Sequence, residues 1–195
     1  MTTVLTRDHN QVNAMLEQLE TIPGRRKGGT TAQQAQRKSI VDMITVALSR
    51  HESAEQEYLW PAVRRELSDG RELAAQALAQ EHDGKETLTA LGRLAPDTDE
   101  FDQLVEQLVL VARRHVAFED RVFLRLRDAM DESARFRLGR KLRLAEKVAP
   151  TRPHPHAPKR PATAVKLAGA AATPLDLLRD AVGDRPAKRK GRAAT

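Results

Sequence analysis

The 195-residue chain contains no cysteine. This absence excludes disulfides, thiolate-bound metal ions and cysteine nucleophiles, so that any metal ion must be held by histidine and carboxylate side chains. No run of about eighteen apolar residues occurs, and the N-terminus has no apolar segment, so neither a membrane span nor a signal peptide is predicted. We therefore expect a cytoplasmic protein without membrane contact.

The net positive charge of the chain is concentrated at its end. The formal net charge is +6, yet residues 150–195 carry ten Lys/Arg and three Asp/Glu, which leaves residues 1–149 slightly acidic. The stretch "PTRPHPHAPKRPATA" opens this region, and its prolines favour an extended, solvated linker. We predict a domain over residues 1–149 and, over 150–195, a Pro-rich linker with a basic, Ala-rich and largely disordered tail.

The basic tail could attract nucleic acid weakly and in a salt-sensitive way, or contact a protein partner. It contains no aromatic residue on which bases could stack, and a solvated tail is the simpler interpretation. Within it, Thr173 to Gly183 predicts a short isolated helix.

Helical periodicity dominates residues 1–149, where no alternating strand pattern occurs. Pro61 is expected to kink or stop the second helix, and Asp97 is the expected N-cap of the fourth. Short connections between four amphipathic helices predict an all-α, antiparallel up-down four-helix bundle with a short fifth helix. The predicted helices run from Thr3 to Glu20, Thr31 to Trp60, Gly70 to Leu94 and Thr98 to Asp128, and over residues 131–148.

Histidines in this region fall one per predicted bundle helix. Two of them precede a glutamate by four residues, which places both side chains on the same helix face, one turn apart. Pointing inward, these groups would form a two-metal site, because buried glutamates need a compensating cation. Imidazole and carboxylate suit iron, with manganese and zinc as alternatives. The predicted ligands are His9, His51, Glu55, His82, His115 and Glu119.

A single His-x3-Glu pair usually lies on a helix surface and has no metal. The joint pattern is much less common by chance, because "DHN" and "EHD" in helices one and three are each followed, fourteen residues after the histidine, by a helix-stopping proline. The second and fourth helices then repeat the His-Glu spacing in the same order. We therefore favour the metal site over the surface pair.

The segment "HESAEQEYLWPAVRREL" and the histidine pattern resemble the hemerythrin-like, or HHE cation-binding, family over residues 1 to about 130. The resemblance implies a four-helix bundle with two non-haem iron ions joined by an oxo or hydroxo bridge. It further implies that Glu55 and Glu119 bridge the irons and that the four histidines are terminal ligands. Dioxygen, hydrogen peroxide or nitric oxide would be the small molecules bound.

The chain departs from the family's oxygen carriers at two points. Leu78 and Glu86 stand where a fifth histidine would be needed beside His82, and Glu119 follows His115 by four residues where the carriers have an Asp at five. One more coordination position is then exchangeable, which favours peroxide or nitric oxide chemistry, including catalase-like peroxide disproportionation, over oxygen transport. Glu52 or Glu86 could close that position as an additional ligand.

Two other functions are compatible with the sequence. One is an iron- or oxygen-sensing or storage module whose basic tail contacts a partner or nucleic acid. The other is a metal-free helical interaction module.

Overall fold

The computed structural model describes residues 2–149, with side chains from Val4 onward. Regular structure in this part of the chain is entirely helical. The predictions for residues 150–195, including the helix from Thr173 to Gly183, lie outside it. The helices are α1 (Thr2–Thr21), α2 (Thr31–Ala54), α3 (Trp60–Glu66), α4 (Gly70–Arg93), α5 (Asp99–Ala129) and α6 (Glu132–Val148), with a 3-10 turn (Arg25–Lys27) and a π-helical segment (Glu55–Leu59).

α1, α2, α4 and α5 form the predicted bundle. α1 packs against α2 and α5, and α4 packs against the same two helices. His9, early in α1, lies beside His51, late in α2, so the short connection between them reverses the chain direction. α6 lies across α1 and α2, which confirms the all-α four-helix bundle with a short fifth helix. None of the described helices is long and apolar enough to cross a membrane.

Side-chain caps fix the starts of α2, α5 and α6. Thr30 and Gln33 form a capping box at the start of α2, and the Asp131 carboxylate accepts a hydrogen bond from the Ala134 amide at the start of α6. α5 begins behind Thr98, whose hydroxyl accepts from the Phe101 amide at 3.2 Å. The predicted cap Asp97 is therefore wrong by one residue, because the shorter Thr98 side chain stands directly at the helix end.

Pro61 neither stops nor simply kinks the second helix. The α-helix ends at Ala54, six residues before the predicted end, and continues as the π-helical segment and then as α3, with Pro61 in its first turn. A proline has no amide hydrogen and its ring clashes with the carbonyl four residues earlier. The wider π turn, in which the Trp60 amide bonds to the Glu55 carbonyl, accommodates the ring without ending the rod.

Two apolar cores fill the bundle and leave a polar layer between them. The α6-side core includes Leu5, Trp60, Phe118, Leu126 and Leu142. The loop-side core includes Leu16, Ile44, Leu91, Phe101 and Leu108. In α1, His9 falls between Leu5 of one core and Val12 of the other, so the sequence itself places this histidine at the boundary.

A buried ion pair closes the loop end of the bundle. Arg37 of α2 pairs with Asp102 of α5, and both side chains are nearly inaccessible to solvent. The second Asp102 oxygen accepts a hydrogen bond from the Arg26 amide at 2.9 Å, which ties the α1–α2 connection to α5. The Arg37 guanidinium also lies 6.0 Å from the centre of the Phe101 ring.

Replacing Asp102 should be much more destabilising than replacing an exposed acid of the same type. Asp102→Ala leaves the Arg37 charge buried without a partner, and we expect a loss of about 3 kcal/mol in unfolding free energy. The control is Asp42→Ala, which removes an exposed pair with Lys38 and should cost less than about 0.5 kcal/mol. Urea unfolding of both variants measures the difference, and equal losses would contradict a structural role for the buried pair.

Candidate metal centre

The polar layer contains five buried side chains that can bind a metal ion. All five are at most 5% exposed. α1 contributes His9, α2 contributes His51, the π-helical segment contributes Glu55, and α5 contributes His115 and Glu119. Heptad spacing explains why they point inward, since in α5 the buried residues Leu108, Ala112, His115, Glu119, Val122 and Leu126 recur every three or four positions.

The first group of ligand atoms consists of two imidazoles and one carboxylate oxygen. His9 Nε2 lies 3.2 Å from His51 Nε2 and 3.1 Å from Glu119 Oε2. His51 Nε2 lies 3.5 Å from the same oxygen. The three atoms surround a common point, and the two histidines lie level in the bundle despite the unequal distances from the ends of their helices.

The second group uses the other oxygen of the same carboxylate. Glu119 Oε1 lies 3.2 Å from His115 Nε2, and Glu55 completes the group with His115 and Glu119. The Glu55 carboxylate also approaches the first group, with Oε1 3.3 Å from His51 Nε2. Glu119 therefore faces two histidines with one oxygen and a third histidine with the other, as a carboxylate between two metal ions would.

Each of the three histidines in the centre points Nε2 inward and Nδ1 towards an outer polar side chain. His9 Nδ1 donates to Asp120 at 2.9 Å, and His115 Nδ1 donates to the side-chain amide oxygen of Gln80 at 3.2 Å. His51 Nδ1 lies 3.6 Å from the Asp8 carboxylate. The hydrogen bonds of His9 and His115 favour the tautomer with a free Nε2 lone pair and orient each ring, as in known histidine metal sites.

Several inward atoms of the centre have no hydrogen-bond donor or acceptor of good geometry among the described residues. They are Glu119 Oε1, His115 Nε2 and both oxygens of Glu55. Buried polar atoms without partners are rare and costly in proteins. A metal ion would satisfy all four atoms at once, so the residues present fit a metal-binding role.

Charges within the centre shift the pKa values of its groups in opposite directions. Burial and the charge of Glu119 raise the pKa of Glu55 well above its usual value. Burial alone would raise the pKa of Glu119, but His115, His51 and His9 outweigh it and lower that pKa. Burial would lower the pKa of His51, but Glu55, Asp8 and Glu119 outweigh it and raise that pKa well above its usual value. Without metal, both raised pKa values favour the protonated forms of His51 and Glu55.

The structure does not bring His82 together with the other predicted ligands. Its side chain is 44% exposed and lies 3.4 Å from Glu86, which is 60% exposed. The pair retains the His-x3-Glu spacing but occupies the flank of α4. The sequence-based expectation that all four histidines converge therefore differs from the observed arrangement.

The register of α4 gives the physical reason. Its buried positions include Ala74, Ala77, Glu81, Leu88 and Leu91, so the inward position on this heptad belongs to Glu81. His82 is the next residue and is rotated by about 100° around the helix axis. The same heptad count could have been made from the sequence, because the alanines and leucines define the inward face without the histidine.

Four charged side chains of α2 and α4 bear on the predicted set of ligands. Of the two additional ligand candidates, Glu52 is buried and pairs with Lys85, whereas Glu86 is on the surface. Glu81 and Lys85 were not predicted, and both lie in the bundle interior.

Metal binding should release protons, because the raised pKa values of His51 and Glu55 favour their protonated forms, with which an ion must compete. Titration of the metal-free chain near about pH 7, in two buffers of different ionisation enthalpy, should give an apparent binding enthalpy that depends on the buffer, with about one proton or more released. Affinity should fall as the pH is lowered, because the ion then competes with protons. Equal apparent enthalpies in the two buffers would contradict the protonation of these two residues.

Comparison with known proteins supports the metal-binding interpretation. Residues 1–126, which include all five buried side chains of the centre, match the hemerythrin family, described as the hemerythrin HHE cation binding domain. No curated protein and no solved structure gives a significant match. Because the match covers more than half of the chain, the protein belongs to the hemerythrin HHE cation-binding family.

Proposed function

We propose that the protein is a non-haem di-iron protein that binds dioxygen, hydrogen peroxide or nitric oxide. The single observation that best supports a dinuclear centre is the orientation of Glu119, whose two oxygens face separate histidine groups. A carboxylate in this position can hold two ions a few ångströms apart, together with an oxo or hydroxo bridge. The mixed imidazole and carboxylate ligands suit iron, and also manganese or zinc.

The ligands that we propose follow the two groups of atoms. His9 and His51 would bind the first ion, His115 the second, and Glu55 and Glu119 would lie between them. His82, which the sequence pattern included, is left out because its side chain lies on the flank of α4 with Glu86. The proposed set contains fewer histidines than the oxygen-carrier pattern, which leaves more coordination positions for small molecules.

The residues around the centre would protect its chemistry rather than perform it. Bound iron would supply the redox change and the coordination positions for the small molecule. Phe123 stacks on the His9 ring at 5.3 Å, and Trp60 and Phe118 are buried in the adjacent α6-side core. These apolar walls limit water access, which favours reaction with small uncharged molecules such as peroxide or nitric oxide.

A second candidate is a sensing or storage role in which metal stabilises the bundle and the tail contacts a partner or nucleic acid. The observation that favours it is the concentration of positive charge in residues 150–195. This role predicts metal-dependent stability without turnover of peroxide, whereas the first predicts both.

Metal analysis tests the dinuclear proposal directly. Protein purified without chelator from iron-supplemented cells should contain about two irons per chain and should decompose hydrogen peroxide. Glu119→Gln should lose most of the iron and the activity, because the neutral amide cannot bridge two cations. Glu20→Gln, at an exposed pair with Arg113, is the matched control and should retain both. A wild-type chain that stays metal-free after anaerobic reconstitution with ferrous iron would refute the proposal.

Two histidine variants test the ligand assignment. His115→Ala should lower the iron content to about one ion or less per chain, because it removes the histidine of the second group. His82→Ala should leave the iron content and the absorption spectrum unchanged. Iron loss in His82→Ala equal to that in His115→Ala would show that α4 does supply a ligand and that the proposed set is incomplete.

A further inference from the structure

α4 brings a buried ion cluster, rather than a histidine, to the bundle interior. Lys85 Nζ lies 2.9 Å from Glu52 Oε2 and 3.3 Å from Glu81 Oε2. The lysine side chain is only 15% exposed, and the two carboxylates are almost fully buried. A lysine so deeply placed is unusual, since burying its charge is costly unless it is paired.

Neighbouring side chains fix the position of this cluster. Trp60 Nε1 donates to Glu81 Oε1 at 2.9 Å, and the side-chain amide of Gln56 donates to the other oxygen of the same carboxylate. Burial alone would lower the pKa of Lys85, but the charges of Glu52 and Glu81 outweigh it and raise that pKa. The ammonium is therefore charged and held between two carboxylates.

The cluster adjoins the second group of metal ligands. Gln80, the residue before Glu81, accepts the hydrogen bond of His115 Nδ1. Glu52 lies three residues before Glu55 on the same helical rod, and its charge interacts with His115. The charge of Glu81 in turn contributes to raising the pKa of Glu55, and the charge of Glu119 contributes to raising the pKa of Glu81.

The interior around the metal centre thus contains four buried carboxylates, those of Glu52, Glu55, Glu81 and Glu119, and one lysine. Burial raises the pKa of Glu52 to about 7 and also raises that of Glu81, and the charge of Lys85 opposes both shifts. Without the lysine, the negative charge that these two carboxylates keep next to Glu55 and His115 would be uncompensated and would attract a second divalent ion. The ammonium satisfies them instead and adds a positive charge that repels an incoming cation.

Building on the proposed metal centre, we propose that Lys85 acts as a tethered counter-ion that weakens the second metal site, at Glu55, His115 and Glu119. The first site, at His9, His51 and Glu119, has no buried lysine or arginine beside it among the described residues, since Arg7, which pairs with Asp8, is 61% exposed, and this site binds more tightly. The two ions therefore enter in order, and the centre passes through a form with one ion. Lys85 is a positioning and charge-compensating residue here, and it is not itself a ligand.

Titration of the metal-free, full-length chain with ferrous iron under anaerobic conditions tests this inference. In Lys85→Met the methionine keeps most of the side-chain volume but removes the charge. We expect the dissociation constant of the second step to fall about tenfold or more, with little change in the first step. The metal-free variant should also melt at a lower temperature than wild type and recover on iron binding, because its two carboxylates lose their counter-ion.

Two controls separate charge from structure. Lys85→Arg keeps the positive charge and should not tighten the second step. Lys38→Met removes a lysine that pairs with Asp42 on the α2 surface and should leave both steps unchanged. If Lys85→Met does not fold, Glu52→Gln gives the same test with the opposite sign, because it removes a carboxylate and leaves the lysine less neutralised, so the second step should weaken.

The outcomes are distinguishable from failure of the proposed function. A wild-type chain that binds no iron would refute the metal centre and this inference together. A chain that binds the first ion normally, but whose second step does not tighten in Lys85→Met, would refute only the role of Lys85. In the Glu52→Gln test, an unchanged or tighter second step would refute it as well.

Discussion

Burial of the Glu119 carboxylate is the constraint on which the rest of the centre depends. The side chain is completely inaccessible to solvent, and an isolated charge in such a place would be strongly unfavourable. Three histidines from α1, α2 and α5 converge on its two oxygens, so that one residue ties three of the four bundle helices together. The polar layer can exist between two apolar cores only because these groups satisfy each other, and a metal ion would satisfy the atoms that still have no partner.

The π-helical segment places Glu55 inward and also allows the helix to continue past Pro61. Glu55 begins the segment, and the wider turn separates the ligand-bearing part of α2 from α3. Trp60, the residue after the segment, is fully buried and donates its indole hydrogen to Glu81. The irregular turn therefore connects the metal centre on one side with the lysine cluster on the other, and π turns of this kind are frequent at functional sites.

Most of the fold could be predicted from the sequence because periodicity and burial agree in α1, α2 and α5. In these helices the histidines and glutamates take heptad positions shared with Leu5, Leu48 and Leu108, so the apolar pattern and the chemistry give the same inward face. In α4 the apolar pattern and the metal-binding histidine indicate inward positions that differ by one residue. The chemistry indicates His82, whereas the apolar pattern indicates Glu81, and packing prevails because Ala74, Ala77, Leu88 and Leu91 together bury more surface than one imidazole. The π turn and the Lys85 cluster depend on contacts between residues far apart in sequence, which periodicity cannot supply.

The outer partners of the histidines, like Lys85, should make the proposed second metal site bind its ion more weakly than the first. His9 and His51 are backed by the carboxylates of Asp120 and Asp8, and Arg7 links Asp8 to Glu146 of α6. His115 is backed by the neutral amide of Gln80. A carboxylate partner makes an imidazole a stronger donor to a metal ion than an amide does. Histidines of the first group should therefore hold their ion more firmly even before the charge of Lys85 is considered. Because two independent features, the Nδ1 partners and the buried ammonium, would weaken the same side, α4 and α6 would make the two proposed metal positions unequal.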